Sequence, residues 1–335
     1  MSRASQLARV AARLGGGRIA RGWRRATGAP GRAIVLMYHR VTDEPDYLGM
    51  AVAPAVFASQ LDVLRTRTRV VALGELVTRL KDAAPLAEDM AAITFDDGYR
   101  DNLDQALPLL QRYGLPATVF VSTGFVDGTA HPTGERLRAV CEALWRAKTA
   151  ANVWTGDAPV DLKVKAALEA PGSLETLIAL RQTLKAIPAT DGERILASLE
   201  ALAGGAPASR GLILDWDGVR ALANAGIEIG SHAVSHAVLS RLDLGAANDE
   251  IRASKQRLEC EIGRPVTGFA FPNGRRGDFL PEHLRTLREA GYAYACLAET
   301  GSNLPGCDAY QLRRIGVGSD SGEVLDLKLA LGRAA

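Results

Sequence analysis

The sequence of 335 residues predicts an α/β protein built on a parallel barrel with a helical insertion. Three observations carry that prediction. Short apolar runs of strand length recur along the chain, helical periodicity fills most intervals between them, and one central interval is far too long for a single connecting helix. Strand-length runs occupy 34–38, 69–73, 92–95, 117–121, 227–229, 268–271, 294–297 and 312–317, which makes seven or eight strands. Helical spacing of apolar residues covers 56–65, 73–80, 102–113, 217–225, 246–262 and 281–290. Gly114, Gly226, Gly263 and Gly291 each stand just past one of these segments, where a left-handed residue ends a helix. An open doubly wound sheet satisfies the same alternation.

The break in rhythm spans about a hundred residues between the runs ending at Val121 and starting at Ile227, well beyond one helix and two short loops. Within it, 135–150, 174–186 and 193–202 read as helices separated by Pro and Gly clusters, so residues of about 125–212 are expected to form a helical insertion, a lid or partner surface over one barrel end. The expected organisation is a basic arm at 1–31, the barrel with its insertion at 32–320, and a C-terminal helix or tail at 321–335.

Charge is nearly balanced overall, 40 Lys+Arg against 38 Asp+Glu, but residues 1–40 hold nine Arg and no acid. The rest of the chain is therefore net acidic, which argues against a nucleic-acid surface. The leader has no apolar h-region and no small-residue cleavage site, and no apolar run approaches the roughly 20 residues needed to cross a bilayer. A cytoplasmic protein is expected. Leu7, Val10 and Leu14 share one face of a short helix with Arg9 and Arg13 on another, before Gly15-Gly16-Gly17 breaks it. Such a segment reads as a solvated basic arm or as a peripheral contact with an anionic inner membrane leaflet. The four cysteines, 141, 260, 296 and 307, have neither metal-ligand spacing nor the density of a disulfide framework, and fit a reducing compartment.

Chemistry concentrates at strand ends. Asp96 and Asp97 follow the apolar run 92–95 and precede Gly98; in parallel barrels the carboxyl ends of strands carry the active site. His232 and His236 follow the run 227–229, and four residues apart on a helical turn two imidazoles can face one ion. His39 follows the first strand, and Pro272-Asn273-Gly274 follows the strand at 268–271. Each alone has a plain structural reading: Asp-Asp-Gly as a turn, His39 as a hydrogen-bonded rim histidine. Four strands delivering such groups to one barrel end are not explained by packing. His131 and His283 are expected to face solvent.

Thr94-Phe95-Asp96-Asp97-Gly98-Tyr99 together with Gly230-Ser231-His232-Ala233-Val234-Ser235-His236 resembles the signature pair of the polysaccharide deacetylases, carbohydrate esterase family 4. The resemblance extends through Phe269-Ala270-Phe271-Pro272-Asn273-Gly274 and Arg313-Arg314-Ile315-Gly316-Val317, and runs from about Ile34 to Val317 apart from the insertion. It implies a distorted (β/α)7 barrel and metal-dependent removal of acetyl groups from sugars. It makes Asp97, His232 and His236 the metal ligands, Asp96 the general base, and the backbone amide of Asn273 a donor to the oxyanion. The proton donor usual in the family is a late histidine, and no histidine follows His283 here. A permuted branch resembling the deacetylases of poly-N-acetylglucosamine export carries that histidine in a Tyr-His pair on the first strand, which Tyr38-His39 matches, so His39 is the expected acid. An Arg that in many members orients the catalytic Asp is replaced by Ala270, the aromatic after Pro272 is Asn273, and Arg313 or Arg314 is left as the positive partner.

A two-histidine, one-carboxylate set leaves open positions for water and an acyl oxygen, and an adjacent free carboxylate can take a proton. Zinc is the default ion; nickel, cobalt, iron and manganese accept the same donors. The expected substrate is an acetamido sugar in a glycan or lipid-linked precursor. Two rival readings use the same residues: a deformylase or amidase on another C–N bond, and an inactive glycan-binding protein. Trp145, Trp154 and Trp216, in or beside the insertion, read either as sugar-stacking rings or as core.

Overall fold

Ala33–Tyr38 is wholly apolar, and as strand β1 it is buried on both faces, as a central parallel strand must be. The short pair β2 (Arg40–Val41) and β3 (Ala51–Val52) lies apart, and the chain then adds β4 (Arg69–Val70), β5 (Met90–Phe95), β6 (Thr118–Val121), β7 (Glu228–Ser231), β8 (Gly268–Ala270), β9 (Tyr294–Cys296) and β10 (Arg314–Gly316). These assignments come from a computed structural model, which describes residues 10–44, 48–147, 156, 158–205 and 211–332. The main sheet runs β10-β1-β5-β6-β7-β8-β9, parallel throughout, with β4 paired to the start of β5. Leu312, just ahead of β10, exchanges backbone hydrogen bonds with Ala295 and Leu297 at 3.0 and 2.8 Å. That contact brings the two edges together, and the sheet is a nearly closed, distorted barrel rather than an open doubly wound one.

Helices wrap the barrel: α1 (Gly16–Ala26), α2 (Pro54–Arg67), α3 (Leu73–Lys81), α4 (Leu107–Tyr113), α5 (Thr123–Asp127), α6 (Thr133–Arg146), α7 (Ala158–Glu169), α8 (Leu174–Ala186), α9 (Ala189–Leu202), α10 (Trp216–Asn224), α11 (Leu244–Ile262), α12 (Pro281–Glu289) and α13 (Gly322–Leu331). The main core packs Ile34, Leu36, Phe95, Val119, Ile229 and Phe269 of the strands against Leu61, Leu222, Ile251 and Leu287 of the helices. At the amino end of the barrel Glu228 accepts hydrogen bonds from Tyr294 Oη at 2.6 Å and Thr118 Oγ1 at 3.0 Å. Gly268 is obligatory beside that ring, because a Cβ there would stand 2.4 Å from Tyr294 Oη.

The insertion has a core of its own, in which Leu137, Val140 and Leu144 of α6 meet Val160 and Val164 of α7, Leu180 of α8 and Leu196 of α9. Helix α7 is missed by periodicity because Pro159 reads as a breaker, although proline is tolerated in a first turn. The expected helix at 102–113 is divided: Asn102–Ala106 is π-helical and only α4, beginning beside Pro108, is α. Trp145 packs on the insertion core and donates to the Ala167 carbonyl at 3.0 Å. Trp216 donates to Asp127 at 2.8 Å under the Arg257 guanidinium. Both are structural; Trp154 lies outside the described residues.

Within the basic arm, residues 10–13 and 16–26 are helical and lie against α13. Residues 10–13 form a helical turn, Gly15 breaks it at φ +79°, and Gly16 and Gly17 then begin α1 instead of ending a helix. Glycine is needed for close approach here, since a Cβ on Gly17 would stand 2.4 Å from Asp326 Oδ2 of α13. Arg21 completes the contact with a bidentate pair to Asp326 at 2.5 and 3.0 Å. No helix among the described residues is long and apolar enough to cross a membrane.

Candidate active site

Strand register assembles the site. Tyr38 lies beside Phe95 in the β1–β5 ladder and Asp96 N–H donates to the Tyr38 carbonyl at 3.0 Å, so His39 and Asp96 leave adjacent strands together. Val121 lies beside Ser231 in the β6–β7 ladder, and His232 N–H donates to the Val121 carbonyl at 2.9 Å. His39, Asp96, Asp97, His232, His236 and Asn273 all line one cavity of about 470 Å³ at the carboxyl ends of the strands. Pro132, Thr133 and Gly134 at the head of α6, and Arg181 of α8, form a wall from the insertion.

The backbone that presents these groups is strained. Asp97 (φ +75°), Ala233 (φ +62°), His236 (φ +61°) and Asn273 (φ +63°) occupy the left-handed region without being glycine, a conformation that costs about 1–3 kcal/mol per residue and gathers at functional sites. Residues 232–236 therefore form a bend and not the expected helical turn. Glu250 of α11 holds that bend, its carboxylate accepting from Val234 N–H at 2.8 Å, Ser235 N–H at 2.9 Å and Ser235 Oγ at 2.6 Å. Asp278 holds the Asn273 loop in the same way, accepting from Asn273 Nδ2 and Arg275 N–H, each at 2.8 Å.

Asp97, His232 and His236 offer donor atoms all within 4.8 Å of one another. Asp97 Oδ1 stands 3.6 Å from His232 Nε2 and 3.4 Å from His236 Nε2. Donors 2.0–2.1 Å from a tetrahedral ion are about 3.4 Å apart, so the set fits a zinc-sized cation. The tautomer fits too. His232 Nδ1 lies 2.7 Å from the Ala270 carbonyl, an acceptor only, so Nδ1 carries the proton and Nε2 presents its lone pair to the cavity. Phe125 stacks on the His236 ring at 5.9 Å and fixes its plane.

Asp96 has a different partner. Arg314, fully buried, reaches up the barrel interior to grip both carboxylate oxygens at 2.7 and 2.8 Å, and its Nε–H donates to the Leu297 carbonyl at 2.8 Å. Of the two arginines left open by the sequence, Arg314 is the partner; Arg313 is exposed. Burial on its own would raise the Asp96 pKa, but the Arg314 guanidinium, helped by His232 and His39, overrides it and holds the carboxyl well below the usual range. Adjacent aspartates thus carry separate duties, one turned to the imidazoles and one clamped as an anion.

His39 is pushed down to about 4, by burial first and then by the nearby Arg314, His232 and Arg181, against the opposing pull of Asp96. It rests as neutral imidazole at neutral pH. Between its ordinary 6.5 and about 4 the unfolded chain binds a proton that the folded chain refuses, so stability is lost as the pH is lowered through that window. For the metal-free protein this histidine should remove about 2–3 kcal/mol between about pH 7 and about pH 4.5. Urea unfolding should show that part of the loss disappearing in His39→Gln; equal losses in both proteins would refute the assignment.

His283 is not solvent-facing as expected. It is buried and its Nδ1 accepts from Leu280 N–H at 3.1 Å, capping α12, while His131 is exposed.

Comparison with known proteins places this geometry. A family model described as polysaccharide deacetylase matches residues 83–295. The Bacillus subtilis (strain 168) protein YxkH, named as a polysaccharide deacetylase, is 27% identical over 117 residues, which are 35% of this chain and 41% of that protein. The chain thus spans about two fifths of the length of that curated relative. Among solved structures, the Streptococcus pyogenes deacetylase PplD in complex with acetate aligns at TM-score 0.59 with 16% identity, covering 89% of this chain and 97% of that one. IcaB from Ammonifex degensii aligns at TM-score 0.57 with 19% identity, covering 90% and 97%. Both share the fold. With the signature residues gathered in one cavity and the family match spanning most of the barrel, the chain belongs to the polysaccharide deacetylase family.

Proposed function

We propose that the protein is a metal-dependent deacetylase that removes an N-acetyl group from an acetamido sugar in a glycan or lipid-linked glycan precursor. The observation that carries this reading is the division of labour between neighbouring carboxylates: Asp97 facing two imidazole nitrogens at 3.4 and 3.6 Å, Asp96 clamped by Arg314. A divalent cation held by Asp97, His232 and His236, zinc by default, would polarise the acyl oxygen and acidify water at the site.

The chain's own groups account for the proton traffic. Asp96, anionic at any neutral pH, takes the proton as a water oxygen forms its bond to the acyl carbon. Arg314 keeps the proton affinity of that carboxylate low, so the proton is passed on rather than retained. His39, neutral at rest and adjacent in register, accepts it and delivers it to the departing nitrogen as the C–N bond breaks. An imidazolium whose pKa is depressed is a strong acid toward an amine. The Asn273 N–H, in a turn that Asp278 holds, donates to the negative acyl oxygen of the tetrahedral intermediate. The products are acetate and the free amino sugar.

The test is an acetate-release screen over nucleotide-, lipid- and polymer-linked acetamido sugars, with and without added zinc or cobalt, with formate measured in parallel on N-formyl analogues. Metal-dependent acetate release from at least one class is expected. Formate release alone would give the site to a deformylase, and no release in the metal-loaded protein would refute the reading.

A further inference from the structure

We propose that α1 and the turn before it form a docking surface for an anionic lipid bilayer. Ten large hydrophobic side chains are exposed among the described residues, and four of them fall within residues 10–26: Val10 (54%), Leu14 (76%), Ile19 (71%) and Trp23 (68%). Ile19 and Trp23, one helical turn apart, share a face of α1, and Ala26 beside them is exposed as well. The opposite face is occupied. Ala12 is buried against Val324 and Leu327, Gly17 lies on Asp326, and the bidentate Arg21–Asp326 pair fixes the rotation of the helix. The body of the protein therefore holds the apolar stripe outward, where water gives it no return.

Charge selects the occupant. Arg13 and Arg18 are exposed beside the stripe, and the sequence carries no acidic residue before Asp43. A second copy meeting this face across a two-fold axis would bring the same arginines together. A bilayer with anionic headgroups accepts Ile19 and Trp23 at the acyl boundary and pairs with the arginines, the two signals that together give stable surface attachment. Val10, Leu14 and Arg13 belong to the segment read in the sequence, while Ile19, Trp23 and Arg18 lie past the glycine run that was taken as the end of the helix. The proposal does not depend on the deacetylase reading.

The experiment is vesicle co-sedimentation of the full chain with phosphatidylcholine alone and with about 30% phosphatidylglycerol added, alongside Ile19→Asp/Trp23→Asp and Arg13→Gln/Arg18→Gln variants. The wild type is expected to bind the phosphatidylglycerol vesicles at least tenfold more strongly. The aspartate pair should reduce that binding at least tenfold, and the glutamine pair by about 25-fold, roughly fivefold per arginine. All substituted side chains face solvent, so acetate release from a soluble substrate should be unchanged. Absence of wild-type binding to the anionic vesicles, or equal binding to both compositions, would overturn the proposal without relying on any variant. A dimer seen by sedimentation velocity and lost in the aspartate pair, with no vesicle binding, would give the face to a second copy and overturn it as well.

Discussion

Asp96→Asn should reduce acetate release by roughly 10²–10⁴-fold, the range that a positioned general base contributes, while the protein keeps its bound divalent ion. Both halves matter. Asparagine is nearly isosteric and retains one acceptor oxygen toward Arg314, but it leaves the buried guanidinium without its counter-charge, so some stability should be lost while the Asp97-His232-His236 group, which is built from other side chains, keeps its place. What would be lost is the anion proposed to take the proton from water. Asp97→Asn, one residue away, should lose both activity and metal. Steady-state rates with elemental analysis on the two variants separate the roles. An Asp96→Asn protein that retains more than about a tenth of wild-type turnover would remove that residue from the part of base.

Arg314→Met is expected to have the largest combined effect. In the wild type the Asp96 pKa is depressed because Arg314, with smaller help from His232 and His39, outweighs burial. Without the guanidinium, burial is opposed only by the weaker pull of His232 and His39, the carboxyl pKa rises, and protonated Asp96 cannot act as base. The rate should fall by roughly 10²–10⁴-fold at neutral pH and then climb with rising pH as the carboxyl ionises, a dependence that Asp96 does not impose on the wild type above about pH 4. Removing one partner of a buried pair also destabilises a fold by about 3–5 kcal/mol, so the midpoint of urea unfolding should drop at neutral pH. Asp96→Asn/Arg314→Met should recover much of that stability and none of the activity. A single variant with wild-type pH dependence would show that Arg314 does not set the charge of Asp96.

The barrel, and the set of candidate residues at its carboxyl end, were legible because both follow from local pattern. Apolar runs such as 33–38 and 90–95 form strands, and groups immediately after them lie at one end of a parallel sheet. Backbone conformation was not legible. The residues that bend the site, Asp97, Ala233, His236 and Asn273, are not glycine and give no composition signal for positive φ. His232 and His236 were therefore placed on a helical turn they do not form. Arg314 could be separated from Arg313 only by strand register, because period-two alternation sends one of two neighbours inward without saying which. Glu250 and Asp278 hold the ligand bend and the Asn273 loop from positions 14 and 5 residues downstream of His236 and Asn273; they look like ordinary surface acids in the sequence. The docking of α1 was hidden for a similar reason, since a glycine run signals a break until a partner helix is known to approach it.

Metal content most directly tests the central claim that Asp97, His232 and His236 grip a single cation while Asp96 stays out of its coordination. Elemental analysis after chelation and reloading with zinc should give one ion per chain for the wild type and for Asp96→Asn, and almost none for Asp97→Asn, His232→Ala or His236→Ala. Equal zinc in all five proteins, or none in the wild type, would contradict the account.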